Sequence, residues 1–236
     1  MSRRGFTTIE LLISLSLLLV IVLAGLEFFG QARALFLKLK EAEESEEAAL
    51  AALDKMRIDL ARGGRGLAVP IEMGLLEAVR ADPEKLSVLS SGGSYELRED
   101  LAQAETQAIL LSADGLKKGS EICVFDSDKG EVRRVQSVEG TRLTFSEPLE
   151  NPYSKETVGL IAVDTTAFFL DQEDAVIRRQ VNSSPAQPLL EDAGTFAFSY
   201  DRHRNLASIA FTLASHKEKT YELCAFPKNA GLSPVR

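Results

Sequence analysis

An uncharged apolar run near the N-terminus constrains this chain more than any other feature. No charged side chain occurs over residues Leu11–Leu26, and two phenylalanines extend the run beyond Glu27. About 20 apolar residues in helical conformation are enough to cross the hydrocarbon core of a bilayer. Arg3 and Arg4 precede the run, and basic residues next to a membrane span tend to stay in the cytoplasm. The sequence therefore predicts a single-pass helix whose C-terminal side lies outside the cytoplasm.

A carboxylate, Glu10, stands at the start of this run. A charged side chain in or beside lipid is costly unless interfacial water or a cation accompanies it. One interpretation is that Glu10 simply lies in the headgroup layer. However, Arg3-Arg4-Gly5-Phe6-Thr7-Thr8-Ile9-Glu10 resembles the processing site of type IV prepilins and type II secretion pseudopilins.

That resemblance implies a role for each matching residue. Residues 1–5 would be a leader with Arg3 and Arg4 as its basic part, cut by a prepilin peptidase between Gly5 and Phe6. The new N-terminus at Phe6 would be methylated. Glu10 would serve assembly, because a buried carboxylate requires a partner and the amine of a neighbouring subunit can supply one.

The implied partners are the prepilin peptidase, other major and minor pilins or pseudopilins, an inner-membrane assembly platform and membrane lipid. The implied location is the cytoplasmic (inner) membrane, followed by incorporation into a fibre. Two alternatives remain open. One is an ordinary or twin-arginine signal peptide, with Ala32-Arg33-Ala34 as a small-residue cleavage site. The other is an uncut anchor.

The helical pattern continues past the predicted assembly helix of residues 6–30. Residues 31–62 contain no proline or glycine, and Leu50, Leu53, Met56 and Leu60 form an apolar stripe. A cluster of five glutamates at 41–47 predicts a solvated face. The glycines at 63–66 are a helix stop. We therefore expect one helix over 6–62, with 31–66 as its amphipathic extramembrane half.

The residues that follow this helix predict a mostly antiparallel sheet. The expected fold class is therefore α+β and pilin-like, with a long N-terminal helix before a β domain. Residues 67–105 form a variable connection, with a short helix at 75–80 and a loop at 90–94. Residues 106–236 form the β domain, because short alternating runs are separated by turn residues. The expected strands are 108–111, 121–125, 132–138, 142–145, 158–163, 167–170, 175–181, 195–200, 208–213 and 220–226.

A second resemblance covers much of this β region. Its segments are similar to those of PilW-type minor pilins and J-type pseudopilins, which implies a low-copy subunit that starts or caps a fibre. The matching segments are Asp59-Leu60-Ala61-Arg62, Ala113-Asp114-Gly115, Phe168-Phe169-Leu170, Ile177-Arg178-Arg179, Leu189-Leu190-Glu191-Asp192, Phe196-Ala197-Phe198-Ser199-Tyr200 and Phe226-Pro227-Lys228-Asn229.

Composition and motif searches favour assembly over catalysis. The formal net charge is -8, which argues against a nucleic-acid partner. Asp126-Ser127-Asp128-Lys129-Gly130 begins like a calcium loop but lacks the terminal glutamate, so we expect a hairpin turn. We expect no catalytic residues, metal or cofactor. The rival function is a membrane-tethered exported enzyme or solute-binding domain.

Two cysteines, Cys123 and Cys224, fall in predicted strands. An oxidising compartment would permit a disulfide between them. The alternative is two free cysteines in the core. Sequence does not decide between the two, because the order of the strands is not visible in it.

Overall fold

The protein is described here by a computed structural model covering residues 8–230. It divides into two compact units, Met1–Leu50 and Ala51–Arg236. The expected α+β layout is present, since a long N-terminal apolar helix is followed by a mostly antiparallel β domain.

The long helix, α1, runs from Thr8 to Ala61 and contains 54 residues. At 1.5 Å per residue it is about 81 Å long. The absence of proline allows this length, and the end agrees with the predicted stop. The backbone N–H groups of Arg62 and Gly63 donate to the carbonyls three residues earlier, at 3.1 and 3.0 Å. Gly64 then adopts φ +75°, a conformation that glycine takes at little cost.

The second unit begins within α1, and over residues 51–230 it contains one further short helix and twelve strands. The bounds are α2 (Ala68–Glu72), β1 (Val79–Ala81), β2 (Leu86–Tyr95), β3 (Gln107–Ile109), β4 (Glu121–Phe125), β5 (Gly130–Glu139), β6 (Arg142–Phe145), β7 (Gly159–Asp171), β8 (Val176–Val181), β9 (Gln187–Leu190), β10 (Ala193–Asp201), β11 (Leu206–Leu213) and β12 (Thr220–Ala225).

The thirteen-residue strand β7 organises the larger, nine-stranded sheet. The strand order is β1-β2-β7-β4-β5-β6-β3, and β8 and β9 extend from β7 on a branch. One edge of β7 pairs with β2 along most of its length. The other edge pairs first with β4 and then with β8. All of these pairings are antiparallel, so the sheet combines hairpins with long-range connections rather than forming a simple meander.

Strand β4 is buried on both faces, and this follows from side-chain alternation. Ile122 and Val124 contribute to one apolar cluster with β3, β5, β6 and the first part of β7. Cys123 and Phe125 contribute to a second cluster with α2 and β2. A strand between two cores has little polar surface, which explains the continuous apolar run Ile-Cys-Val-Phe.

The remaining strands form a three-stranded antiparallel sheet in the order β10-β11-β12. Strand β11 alternates strictly, and its buried positions are Ala207, Ile209, Phe211 and Leu213. The rings of Phe211 and Tyr221 stack across the β11–β12 pair, with centroids 5.4 Å apart. This sheet therefore has one buried face and one more exposed face.

Several strand predictions are confirmed, while the predictions for residues 67–105 are partly wrong. Strands β4 and β6 have the expected bounds, and the two segments expected at 158–163 and 167–170 are one strand, β7. The helix expected at 75–80 is absent from the described chain, where Val79 and Arg80 belong to β1. The expected loop at 90–94 lies inside β2. The glycines and serines of this segment favour a loop, but pairing with β7 holds the segment in an extended conformation. Their position coincides with a register shift in the pairing, between Ser91 and Gly93.

Candidate functional site

Most residues of the predicted processing site lie outside the described part of the chain. Arg3, Arg4, Gly5 and Phe6 all precede Thr8, where the description begins. The predictions of cleavage and methylation at Gly5 and Phe6 therefore stay predictions. Glu10 is described, and it lies in the first turn of α1. A carboxylate there is favoured by the partial positive charge of the helix N-terminus.

The apolar side chains that follow Glu10 project from α1 without burial in the first unit. The most apolar 18-residue stretch of the helix has none of its residues buried. Leu11, Val20 and Phe29 illustrate this, with 61%, 62% and 72% of their surface exposed. Among residues 8–230, α1 is long and apolar enough to cross a membrane, and a signal sequence would have the same character.

In the second unit the last turns of α1 bury one face. Ala52, Met56 and Leu60 are almost completely inaccessible. The predicted stripe is therefore confirmed at Met56 and Leu60. It is wrong at Leu50, which is 54% exposed, because the buried face of the helix passes through Ala52 instead.

Asp59 is also buried, with 3% of its surface exposed. The Nε–H group of Arg179 donates a hydrogen bond to Oδ2 of Asp59 at 2.7 Å. The Nζ atom of Lys55, one helical turn earlier, lies 3.5 Å from Oδ1 of Asp59. This ion pair attaches the end of α1 to β8.

The pairing of Asp59 with Arg179 was not foreseen from sequence. The two residues lie 120 positions apart along the chain. A buried position for Asp59 was detectable, because it lies three residues after Met56 and therefore on the same face of the helix. The identity of its partner depends on where β8 lies in the sheet.

A second buried carboxylate, Glu131, holds the loop that follows β6. It accepts hydrogen bonds from the backbone N–H groups of Glu150 and Asn151, at 2.9 and 3.1 Å, and from the Tyr153 hydroxyl at 2.9 Å. Arg133 forms an ion pair with it. Burial is the main cause of a raised pKa at the Tyr153 hydroxyl, and the hydrogen bond to Glu131 raises this pKa further. The carboxylate is fully engaged by its own protein, so this cluster is structural.

The structure does not bring the two cysteines together. Cys123 lies buried in β4 of the larger sheet, and Cys224 lies exposed in β12 of the smaller one. Both are free thiols, so the candidate disulfide is not formed. The alternative of two core cysteines is correct only for Cys123. Burial raises the pKa of its thiol to about 12, which makes it a poor nucleophile near neutral pH.

The predicted hairpin turn at 126–130 is confirmed. Strands β4 and β5 pair on either side of it, and the Asp126 carboxylate accepts N–H bonds from Asp128 and Lys129 at 2.9 and 3.0 Å. These bonds, that from Asp128 most of all, lower the pKa of Asp126. Over residues 8–230, no group of three or more His, Cys, Asp and Glu side chains is arranged to hold a metal ion.

A surface cleft of about 300 Å³ lies beside the β5–β6 turn. Its lining consists of Arg98, Ile109, Glu139, Thr141 and Arg142. The charged members are exposed, and the lining contains neither a histidine nor a pair of carboxylates. It therefore offers no recognisable acid–base arrangement for hydrolysis or proton transfer.

Comparisons with known proteins provide no family assignment. No protein-family model matches the sequence, and no curated protein matches it. Among solved structures, one similarity is to the Gp54 tailspike of Acinetobacter baumannii bacteriophage AP22, solved in complex with A. baumannii capsular saccharide. It has 18% identity and a TM-score of 0.30, and covers 33% of this chain and 15% of that one.

Another similarity is to the tailspike gp61 of Pseudomonas phage phi297. It has 19% identity and a TM-score of 0.28, and covers 31% of this chain and 14% of that one. The chain thus spans about one-seventh of the length of either tailspike. TM-scores this low do not establish a shared fold.

Proposed function

We propose that this chain is a minor pilin or pseudopilin subunit. Its leader would be removed by a prepilin peptidase, and α1 would then anchor it in the cytoplasmic membrane until it joins a type IV pilus or a type II secretion pseudopilus. Its role would be structural, either priming or capping the fibre. The β domain would lie outside the cytoplasm.

The observation that carries this proposal is the division of one helix between two environments. From Thr8 to about Phe29 the apolar side chains of α1 are exposed and suited to lipid or to other helices. From Ala52 to Leu60 the same helix supplies side chains to the core of a β domain. An ordinary signal peptide is separate from the domain it exports, whereas an assembly subunit requires its membrane helix to remain attached.

Processing is the first test, and it depends on Gly5 and Phe6. Co-expression with a prepilin peptidase should reduce the mass by that of residues Met1 to Gly5, less the mass of the methyl group added to the new N-terminus at Phe6. Substitution Gly5→Glu should abolish the change, because a charged side chain cannot replace glycine in a narrow cleft. Intact-mass spectrometry and N-terminal sequencing are the measurements. A new N-terminus at Arg33 or Leu35 would instead establish a signal peptide.

Assembly is the second test, and it depends on Glu10. If the carboxylate only lies among headgroups, Glu10→Leu should change little, because lipid accepts leucine readily. If it neutralises the amine of a neighbouring subunit, its removal leaves that amine unpaired, and breaking a buried pair costs about 3–5 kcal/mol. We expect a cleaved, inserted protein that fails to enter fibres.

A matched control for Glu10→Leu is Glu27→Leu, since Glu27 is a carboxylate at the opposite end of the same apolar run. The control should be cleaved and assembled normally. Cleavage, membrane level and fibre or secretion output should be scored separately in a strain without the native copy. Normal output from the Glu10→Leu strain would remove the assembly role.

A further inference from the structure

The cleft beside the β5–β6 turn presents two arginines that have no carboxylate partner. Arg98 and Arg142 both line this cleft of about 300 Å³, and both are exposed. Glu139 lines it too, yet the ion pairs formed within residues 8–230 include neither arginine. The chain as a whole has 35 acidic and 27 basic side chains, so the cleft is a local excess of positive charge on an acidic protein.

The pairing of the strands places the two arginines in one row across the sheet. Arg142 in β6 is the cross-strand partner of Ile109 in β3 and of Glu139 in β5. The backbone N–H of Arg98 donates to the carbonyl of Ile109 at 2.8 Å, and an antiparallel bridge at the adjoining pair of residues fixes this register. Directly opposed residues share a face of the sheet. The two arginines therefore lie on either side of the isoleucine, and the glutamate ends the row.

The other face of these strands belongs to the core, so the row faces outward. Ala108 and Leu143, which adjoin Ile109 and Arg142 along their strands, are 1% and 0% exposed. Successive residues of a strand point to opposite faces. Neighbouring strands are about 4.8 Å apart, which separates the Cα atoms of the two arginines by about 10 Å. Long side chains at that separation can bind one ligand that lies over the isoleucine.

From this arrangement we infer that the cleft binds a carboxylate side chain in an acidic peptide segment of a partner protein. A guanidinium group presents a planar fork of donors that matches a carboxylate, and such charge-assisted hydrogen bonds are strong. Glu139 disfavours a more highly charged anion such as phosphate, which carries about −1.5 to −2 charges. Its own carboxylate can accept a hydrogen bond from a backbone N–H of the bound peptide.

The size of the cleft favours one side chain of a larger partner over an enclosed small molecule. Sites for drug-sized ligands span about 300–1,000 Å³ and bury most of the ligand. This cleft is at the lower end of that range, and its charged members are exposed. Leu111, two residues beyond Ile109, is 52% exposed. It offers apolar contact to the residue that flanks the bound carboxylate.

This inference goes beyond the proposed function and does not depend on it. The cleft lies wholly within the second unit and uses no part of α1. Failure of cleavage or of fibre assembly would therefore leave it standing.

The test is a binding titration of the full chain in a non-ionic detergent. The probe is a short fluorescent peptide, blocked at both ends, in which a central glutamate is flanked by leucines. The comparison peptide has glutamine in place of the glutamate. Fluorescence anisotropy should show the glutamate peptide binding about tenfold more tightly or better, because the glutamine peptide cannot form the charge-assisted hydrogen bonds. High salt should reduce this difference, because exposed charges are screened.

Substitutions in the cleft should separate the roles of its members. Arg98→Gln and Arg142→Gln should each weaken binding of the glutamate peptide about tenfold. Arg142→Lys should have an intermediate effect, because it keeps the charge and loses the planar fork. Glu139→Gln should not weaken binding, because it removes only a negative charge. Thermal unfolding followed by circular dichroism should be unchanged in these variants, since all three side chains are exposed.

The matched control is Arg80→Gln in β1. Arg80 is exposed and is likewise absent from the ion pairs formed within residues 8–230, but it does not line the cleft. This variant should bind the glutamate peptide as the wild type does. An equal loss of binding in Arg80→Gln would show that the peptide responds only to total charge, and would overturn the inference.

Phenylglyoxal modification reads each arginine separately in the wild-type protein. The glutamate peptide should slow the modification of Arg98 and Arg142 several-fold and leave that of Arg65 and Arg80 unchanged, as measured by mass spectrometry of proteolytic fragments. Equal affinity for the two peptides would overturn the inference, as would unprotected cleft arginines. Competition by inorganic phosphate as strong as that by unlabelled glutamate peptide would also overturn it, because the cleft would then be a general anion site.

Discussion

At the scale of single residues, two buried carboxylates are held in different ways. Glu131 is held mainly by neutral donors and one arginine within a single part of the sheet. Asp59 instead depends on Arg179, which lies on another element. Loss of a charge from a buried pair leaves its partner desolvated and uncompensated, so Asp59 is the position where one substitution should affect the connection between helix and sheet most strongly.

We predict that Asp59→Ala lowers the free energy of unfolding of the β domain by about 3–5 kcal/mol, because Arg179 is left unpaired in a site that is mostly buried. Urea denaturation of the detergent-solubilised protein measures this. The control is Asp54→Ala on the same helix, which breaks the exposed pair with Arg57 and should cost at most about 1 kcal/mol. Equal effects would show that the Asp59 pair contributes little.

At the scale of elements, the end of α1 depends on a close backbone approach. A Cβ atom on Gly64 would lie 2.7 Å from the carbonyl oxygen of Asn229 and 3.1 Å from the Cβ of Ala78. The turn after the helix is thus packed against the end of the described chain. Gly74 has nearly the same backbone conformation, with φ +73° against +75°, but faces open space.

The two glycines give a matched pair of substitutions. Both Gly64→Ala and Gly74→Ala incur the backbone strain of an L-residue at positive φ, about 1–2 kcal/mol. Only Gly64→Ala adds a steric clash, and overpacking typically costs a further 1–3 kcal/mol or so. The difference between the denaturation midpoints of the two variants therefore measures the destabilisation caused by the steric clash alone. If the two variants were equally stable, the approach to Asn229 would not matter energetically.

Elements with strong local periodicity were predictable, whereas elements specified by distant partners were not. The length of α1, the burial of Met56 and Leu60 at its end, and strands β4 and β6 follow from periodicity and turn residues. Strand β2 does not, because Ser90, Ser91, Gly92 and Gly93 have low strand propensity and are extended only through pairing with β7. A Cβ on Gly92 would lie 2.8 Å from the Asp164 carboxylate, so the glycine that indicates a loop is needed for a close contact within the sheet.

The candidate site shows the same division. Glu10 and the apolar run could be identified from the sequence because each is defined by residues that are adjacent along the chain. The separation of Cys123 and Cys224 into different sheets, and the contact between Asp59 and Arg179, depend on strand order. Short strands of similar composition do not specify that order by themselves.

At the scale of the whole molecule, the last turns of α1 belong to the folded β domain. Ala52, Met56 and Leu60 contribute to its buried surface, and Asp59 contributes its ion pair. A domain boundary drawn at the end of the helix would therefore cut through a core.

We predict that a fragment of residues 51–236 folds cooperatively without detergent, whereas a fragment of residues 63–236 does not. Removal of one buried methionine or leucine side chain alone costs about 2–5 kcal/mol, which approaches the total stability of many domains. Circular dichroism during thermal unfolding distinguishes the fragments. A cooperative transition in the shorter fragment would show that the helix end is dispensable.

The central position of β7 has a consequence for the time course of folding. Strands β2 and β4 are both synthesised before β7, yet each uses β7 as a neighbour. Until the ribosome has passed Asp171, those two strands lack the strand that they share as a neighbour. Leu86, for example, cannot pair before its partner Phe168 has been synthesised. Pairings between distant residues form slowly, because the intervening chain loses entropy when the loop closes. The nascent chain should therefore remain open until late in synthesis, which leaves time for its first helix to reach a membrane before the domain behind it closes.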